Sequence, residues 1–291
     1  MQKGWALLFG GVLLASAVLV AVAPLVGWWL PRNACSFGYE TDKLFNWIMG
    51  VTGFFFFLTE GVLVYALFKF EAAPGRRAQF FHGSHKLELL WTAVPAAILL
   101  IIAFAQVEAW ANIKYQARMP IPDQVLEVSA RQFEWRIRYP LAEQMQDMIG
   151  ERDQAPSDWA DRANAWNKAP QIDDVRVVNE IHTWKYARVR VYLKTRDVIH
   201  SFFLPNMRIK QDALPGKTIP VWFHPDAANT TWNDEKQQWI PDKDNDWELA
   251  CAELCGWGHY KMRGRLFVHE SKADYLKWLD QAHKELNRKE P

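Results

Sequence analysis

The sequence predicts membrane-spanning helices followed by an all-β sandwich or Greek-key barrel. Three observations lead there. Long apolar runs dominate the chain before residue 112. From Val125 onward the apolar period falls to two, as in strands with one buried face. Proline and glycine turn signals then cut the later part into short segments. The net charge of +1 gives no bias toward polyanions, so nucleic acid is not an expected partner.

Trp5–Leu30 contains no charge, Phe45–Phe68 only Glu60, and Leu89–Trp110 only Glu108. A hydrocarbon layer of about 30 Å needs about 20 helical residues, and all three runs are long enough. Each must be helical in lipid, which satisfies no backbone polar group. Glu60 is costly within a span and should face protein. The first run could instead be a signal peptide, with Lys3 before it and Ala21-Val22-Ala23 as a cleavage site. Pro24 and the apolar continuation to Leu30 favour a retained helix. The loop carrying Lys69, Arg76, Arg77 and Lys86 should be cytoplasmic, as should Lys3, outweighing Arg32 and Lys43 opposite. The expected organisation is an N-terminal span (or signal peptide) with an outer loop over 1–43 and a helical hairpin over 44–111. An exported domain over 112–291 follows.

Within that domain, Phe133, Trp135, Ile137 and Tyr139 of "VLEVSARQFEWRIRYP" fall two apart and read as one strand face. "ARVRVYLKT" alternates likewise through Val189, Val191 and Leu193, and "KTIPVWF" and "GRLFVHE" read as further strands. Two acidic stretches interrupt the pattern. One is an insertion over 141–174, helix-like or irregular, with Trp159 and Trp166; the other is the Asn/Asp-rich 225–248. They read as solvated loops or as an acidic docking surface for a basic partner. The chain ends in a helix, signalled by Ser271 with Asp274 three residues on and by the apolar face Tyr275, Leu276, Trp278, Leu279, Ala282 and Leu286.

The densest chemistry lies in "ACAELCGWGHYKMRG", residues 250–264. A disulfide between Cys251 and Cys255 would close a tiny loop and stabilise little. Zinc prefers four strong donors, and Cys251, Cys255 and His259 supply three, with Met262 a poor fourth. Soft thiolates with imidazole and a thioether favour copper. A single-copper electron-transfer site uses one cysteine, so two thiols point to two copper ions bridged by both. Each ion then needs one histidine. His259 serves one, and His200, at a predicted strand end in "DVIHSFFLPNMRIKQDALPG", is the candidate for the other.

"HSFFLPNMRIKQDALPG" and "CAELCGWGHYKM" resemble the paired copper motifs of cytochrome c oxidase subunit II. "GSHKLELLWTAVPAAILL" is similar to that family's last transmembrane helix, and "VSARQFEWRIRYP" to its aromatic strand. The resemblance implies a cupredoxin barrel on a membrane hairpin and a dinuclear CuA centre. Cys251 and Cys255 would bridge the coppers, His200 and His259 would bind one each, and Met262 and the carbonyl of Glu253 would be weak ligands. The Glu253 carboxylate would help hold magnesium at subunit I, and Glu88 would mark the mouth of a proton path. The expected function is electron acceptance from a periplasmic donor and transfer to haem in subunit I, where oxygen is reduced and protons are pumped. The implied setting is a bacterial inner membrane, with subunits I and III, lipid, and cytochrome c or another donor as partners, in one arrangement within a supercomplex. Rivals are the CuA subunit of a nitric oxide reductase and a membrane-anchored copper carrier or assembly protein.

One position departs from the family. Where the family has the Trp that receives electrons from cytochrome c, this chain has Phe133. Trp135 and Trp257 are the other candidate rings for that contact.

Overall fold

A computed structural model describes residues 2–70, 74–75, 77, 80, 82–149, 158–242 and 245–289. Arg76 of the basic loop, residues 150–157 of the expected insertion and residues 243–244 of the second acidic stretch lie outside them. The chain divides into two compact units, Met1–Leu30 with Glu40–Ala109, and Pro31–Tyr39 with Trp110–Pro291.

The first unit is helical: α1 (Gln2–Val22), α2 (Gly38–Lys69) and α3 (His85–Lys114). All three are long and apolar enough to cross a membrane. Apolar side chains such as Leu7, Phe54 and Phe104 are exposed within this chain. Polar groups are satisfied locally: the Thr52 and Thr59 hydroxyls donate to the carbonyls of Ile48 and Phe55, each at 2.9 Å. The first helix is shorter than its apolar run. It stops at Val22, and the chain turns through Pro24 and Gly27, whose φ of 78° suits glycine.

The second unit begins with the hairpin β1 (Gln124–Arg131) and β2 (Glu134–Tyr139). Helices α4 (Ala142–Ile149) and α5 (Trp159–Lys168) follow. Then come β3 (Val175–Val178), β4 (Glu180–Trp184), β5 (Val189–Thr195), β6 (His200–Leu204), β7 (Ile209–Ala213) and β8 (Ile219–Phe223). The chain continues through β9 (Thr230–Asn233), β10 (Gln238–Pro241), β11 (Trp247–Cys251) and β12 (Arg263–His269) to α6 (Lys272–Lys289). Two five-stranded sheets form, β3-β2-β1-β5-β8 and β4-β12-β11-β6-β7, with β9–β10 a separate hairpin. Parallel pairs β1–β5 and β4–β12 join strands distant in sequence, so the chain crosses between the sheets. Both sheets share one core, where Leu126, Trp135, Ile137 and Val191 meet Phe202, Leu204 and Leu249.

The aromatic segment is a hairpin rather than one strand. Trp135, Ile137 and Tyr139 point inward from β2 as expected, but Phe133 falls in the turn between β1 and β2. The insertion is not a solvated loop. Met145, Met148, Ile149, Ala163 and Trp166 are buried, and the acidic Asp174 is consumed by a buried network. Arg138 binds Asp174 at 2.7 Å and Glu127 at 2.6 Å, with the Trp166 ring 3.8 Å from its guanidinium carbon. Lys194 also reaches Glu127, at 2.6 Å. In the second acidic stretch, the buried Asn229 ties the β9–β10 hairpin to β12 by accepting from Val268 N–H and donating to Leu266 O.

Helix α6 starts as expected, with the Ser271 hydroxyl accepting from Asp274 N–H at 3.2 Å. Its Trp278 lies flat on His182 (centroids 3.8 Å apart, planes 6° apart), and Phe267 covers the other face. His182 Nδ1 and His269 Nε2 are 3.1 Å apart, both rings buried. Burial holds both neutral. It pushes His182 well below its usual range and His269 to about 2, the latter also through repulsion from His182.

Two outcomes are expected here. Arg138→Met leaves Glu127 and Asp174 buried without their guanidinium and should cost about 3–5 kcal/mol in chemical denaturation. The unfolded chain takes up protons on both histidines below about pH 6.5, while the folded one does not. Stability should therefore decline as pH falls from that value, and His182→Phe should flatten the decline in a pH series of melting curves.

Candidate metal centre

The sulfur-rich loop is carried by three adjacent strands. β11 ends at Cys251, β12 begins at Arg263, and the chain between them forms a closed excursion. Cys251 N–H donates to Met262 O at 3.2 Å, drawing the two ends of the loop together. Ala252 N–H donates to Ser201 O at 3.0 Å, which ties the loop to β6, whose first residue is His200. Register does the rest, since Cys251 pairs with Phe202.

The expected donors converge. Cys251 Sγ and Cys255 Sγ are 3.9 Å apart and unbonded. His200 Nδ1 is 3.8 Å from Cys251 Sγ, and His259 Nδ1 is 3.6 Å from Cys255 Sγ. Met262 Sδ lies 3.8 Å from Cys255 Sγ and is fully buried. The Glu253 carbonyl is 3.2 Å from Cys251 Sγ, while the residue itself is exposed. Ligating atoms of His200, Cys251 and Cys255 all fall within 4.8 Å of one another. Two donors on one ion, each about 2.0–2.3 Å from it, stand roughly 3.3–4 Å apart in a tetrahedral arrangement. These separations fit, and the two imidazoles approach different sulfurs. Soft sulfur with imidazole is a donor set suited to copper.

Protonation favours metal uptake. Burial alone would raise the Cys251 pKa, but hydrogen bonds from His200 and at the backbone of Glu253 and Ser201 outweigh it and bring the thiol to about 6. Cys255 is pushed to about 11 by burial and by charge on Cys251. A soft cation would displace the remaining proton.

Three supporting features escaped the sequence reading. Asp197 Oδ1 accepts from His200 Nε2 at 2.8 Å, leaving Nδ1 as the lone-pair nitrogen that faces Cys251. Its other oxygen accepts from Gln132 N–H at 2.7 Å, and Gln132 Nε2 donates to Cys255 O at 2.6 Å. The turn of the first hairpin is thereby tied to both halves of the site. Gly256 and Gly258 form the third feature. A Cβ on Gly258 would lie 2.4 Å from the Phe133 ring, so only glycine lets that ring rest on the loop backbone. The spacing D-x-x-H and the pair of glycines around Trp257 were the available signals.

The aromatic candidates separate clearly. Trp135 is fully buried, edge-on to His200 and Phe202, so no partner can touch it. Phe133 is half-buried and meets Trp257 edge-to-face with centroids 6.0 Å apart. Trp257 is 80% exposed. Glu88 is in the first turn of α3, with its carboxylate 3.1 Å from His85 Nδ1.

Residues 18–108 match the family model for the transmembrane domain of cytochrome c oxidase subunit II, and residues 125–234 match that for its periplasmic domain. The chain belongs to the cytochrome c oxidase subunit II family. It is a membrane protein with a periplasmic C-terminal domain of cupredoxin-like fold. The periplasmic match includes His200 and stops before the cysteine loop. Among curated relatives, the chain is 28% identical to "Alternative cytochrome c oxidase subunit 2" of Bradyrhizobium diazoefficiens, covering 87% of this chain and 84% of that protein. It is 26% identical to "Cytochrome c oxidase subunit 2" of Synechocystis, covering 86% and 74%. The crystal structure of the periplasmic domain of subunit II of cytochrome oxidase from Bradyrhizobium japonicum covers 57% of this chain and 98% of that chain, with 23% identity and a TM-score of 0.38.

Asp197→Ala should leave metal stoichiometry intact but weaken affinity roughly 10–100-fold if His200 is a ligand, because it releases the ring of that histidine. Competition against a chelator measures this.

Proposed function

We propose that this chain is the electron-accepting subunit II of a haem–copper cytochrome c oxidase in a bacterial inner membrane. The proposed CuA centre is held by His200, Cys251, Cys255, His259, Met262 and the Glu253 carbonyl. The observation that carries this reading is the meeting of two unbonded thiols with two imidazoles, each imidazole beside a different sulfur, in a chain of the oxidase subunit II family. When bound, a copper pair held by these residues would supply one delocalised redox unit that accepts and releases a single electron.

The chain's own residues prepare that chemistry. Strand ends hold His200 and Cys251, and Met262 directly precedes β12, so the same geometry can serve both oxidation states. Asp197 sets the tautomer of His200. Met262 closes the site from the protein interior, and Trp135 lies against the His200 ring. Phe133 and Trp257 cover the solvent side of the loop, where they exclude water and present an aromatic surface.

Leu254, Trp257 and Tyr260 are all strongly exposed around this loop, and Lys261 lies within 5.5 Å of the Trp257 and Tyr260 rings. An exposed aromatic patch of this kind suits a transient partner. We assign it to the periplasmic donor, cytochrome c or another carrier, with Trp257 as the contacting ring and Phe133 behind it. Subunit I receives the electrons and carries out oxygen reduction and proton pumping, with subunit III a further partner in the complex. The exposed Glu253 carboxylate is assigned to magnesium shared with subunit I, and Glu88 to the mouth of a proton path.

Elemental analysis of the purified chain should give two copper ions per polypeptide, with a one-electron, two-copper paramagnetic resonance signal. A lone zinc or a single-copper signal would overturn the reading. Phe133→Trp should leave copper content unchanged and alter the rate of reduction by donor, while Trp257→Ala should slow that rate. Unaltered rates with every donor tried would remove both rings from the path.

A further inference from the structure

The outer face of the first sheet carries a basic surface, separate from the metal loop. Cross-strand partners share a face. Glu127, Arg138 and Arg176 form one row across β1, β2 and β3, and Ser129, Arg136 and Val178 form the next. Lys194 continues the second row from β5. This face is strongly basic, whereas the opposite face of the same strands is apolar core. The insertion helices cover only one end of it, through Trp166 on Arg138 and Trp159 at 5.2 Å from Arg190.

The other end is an open cleft of about 390 Å³ whose polar lining is Glu127, Ser129, Arg136, Arg138, Arg176 and Arg196, beside the apolar Ile137, Pro170, Val177 and Val178. Its acidic groups are already engaged. Glu127 is held by Arg138 and Lys194, and Glu134 beside the cleft by Arg131 and Arg136. Among the described residues, neither Arg176 nor Arg196 has a carboxylate partner; Arg176 donates to Gln171 O. Two buried polar atoms in the lining, Ser129 Oγ and Arg138 Nε, have no hydrogen-bond partner among the described residues. Unpartnered buried polar groups are unusual and call for an explanation, a bound water or ion among them. Planar guanidiniums converging with a hydroxyl match the geometry of phosphate and carboxylate oxygens.

We propose that this cleft binds a multivalent oxyanion of the phosphate class. The lining supplies donors on three strands, which suits a group with several oxygens better than a single chloride. Its position on the β1–β2–β3 face places it on the same hairpin whose turn supports the metal loop, so an occupant would brace that hairpin.

The test uses the full chain in neutral-lipid nanodiscs, titrated calorimetrically with pyrophosphate at constant ionic strength. Saturable one-to-one binding is expected. Arg176→Ala combined with Arg196→Ala should weaken it at least about tenfold with the copper spectrum intact, because charge-assisted bonds of this kind are each worth a tenfold factor or more. Ser129→Ala should weaken it less. Lys277→Ala with Lys284→Ala, on α6, should leave it unchanged. Absence of saturation, equal weakening by both double variants, or displacement by chloride at the same ionic strength would overturn the proposal. Discs containing anionic phospholipid identify the source of the oxyanion. Reduced pyrophosphate affinity there points to a lipid headgroup, and unchanged affinity to a free phosphate compound.

Discussion

The site depends on keeping two thiols close without letting them join. Cys251 is fixed by strand pairing, while Cys255 rides on a loop whose ends are drawn together by Cys251 N–H and Met262 O. Around the 3.9 Å gap, Gln132 holds the carbonyl of Cys255 and Phe133 lies across Gly256 and Gly258. Everything else around the centre follows from that restraint. The histidines arrive from separate elements, each beside its own sulfur, and the thioether fills the space beneath.

The same hairpin serves both faces of the sheet. Inward, Trp135 leans on His200. Outward, Arg136 and Arg138 carry charge into a polar layer. A single two-residue period thus sorts apolar mass to one side and guanidinium to the other, and the insertion uses the charged side as its anchor. Trp166 is bound both by its ring over Arg138 and by its indole N–H to Asp174 at 2.9 Å.

Much of this was legible in the sequence because its causes are local. Spans show in composition, since lipid tolerates little else. The spacing of the proposed donors shows because all but His200 share one loop. Strand alternation located Val189, Val191 and Leu193 correctly in the core. The misses have physical reasons as well. Phe133 continues the period of Trp135, but a tight turn interrupts the strand between them, and periodicity cannot detect a turn that happens to keep phase. The apolar run to Leu30 concealed a helix end at Val22, because hydropathy does not register backbone direction. Gln132 acts through bonds to Asp197 and Cys255, far along the chain, and Arg138 is buried only because the insertion folds over it.

The short strap Pro31–Tyr39 precedes two membrane helices yet belongs to the exported domain. Ala34 and Cys35 are fully buried in its core, and Cys35 bridges to Pro225. A polypeptide cannot thread a core from both sides of a bilayer, so the segment between strap and domain must cross an even number of times. Translocation parity is therefore written into the packing of two small residues, independently of any counting of basic side chains. It also sets an order for biogenesis: the globular part can seal only after the intervening pair of helices has been inserted and both flanks have emerged on one side.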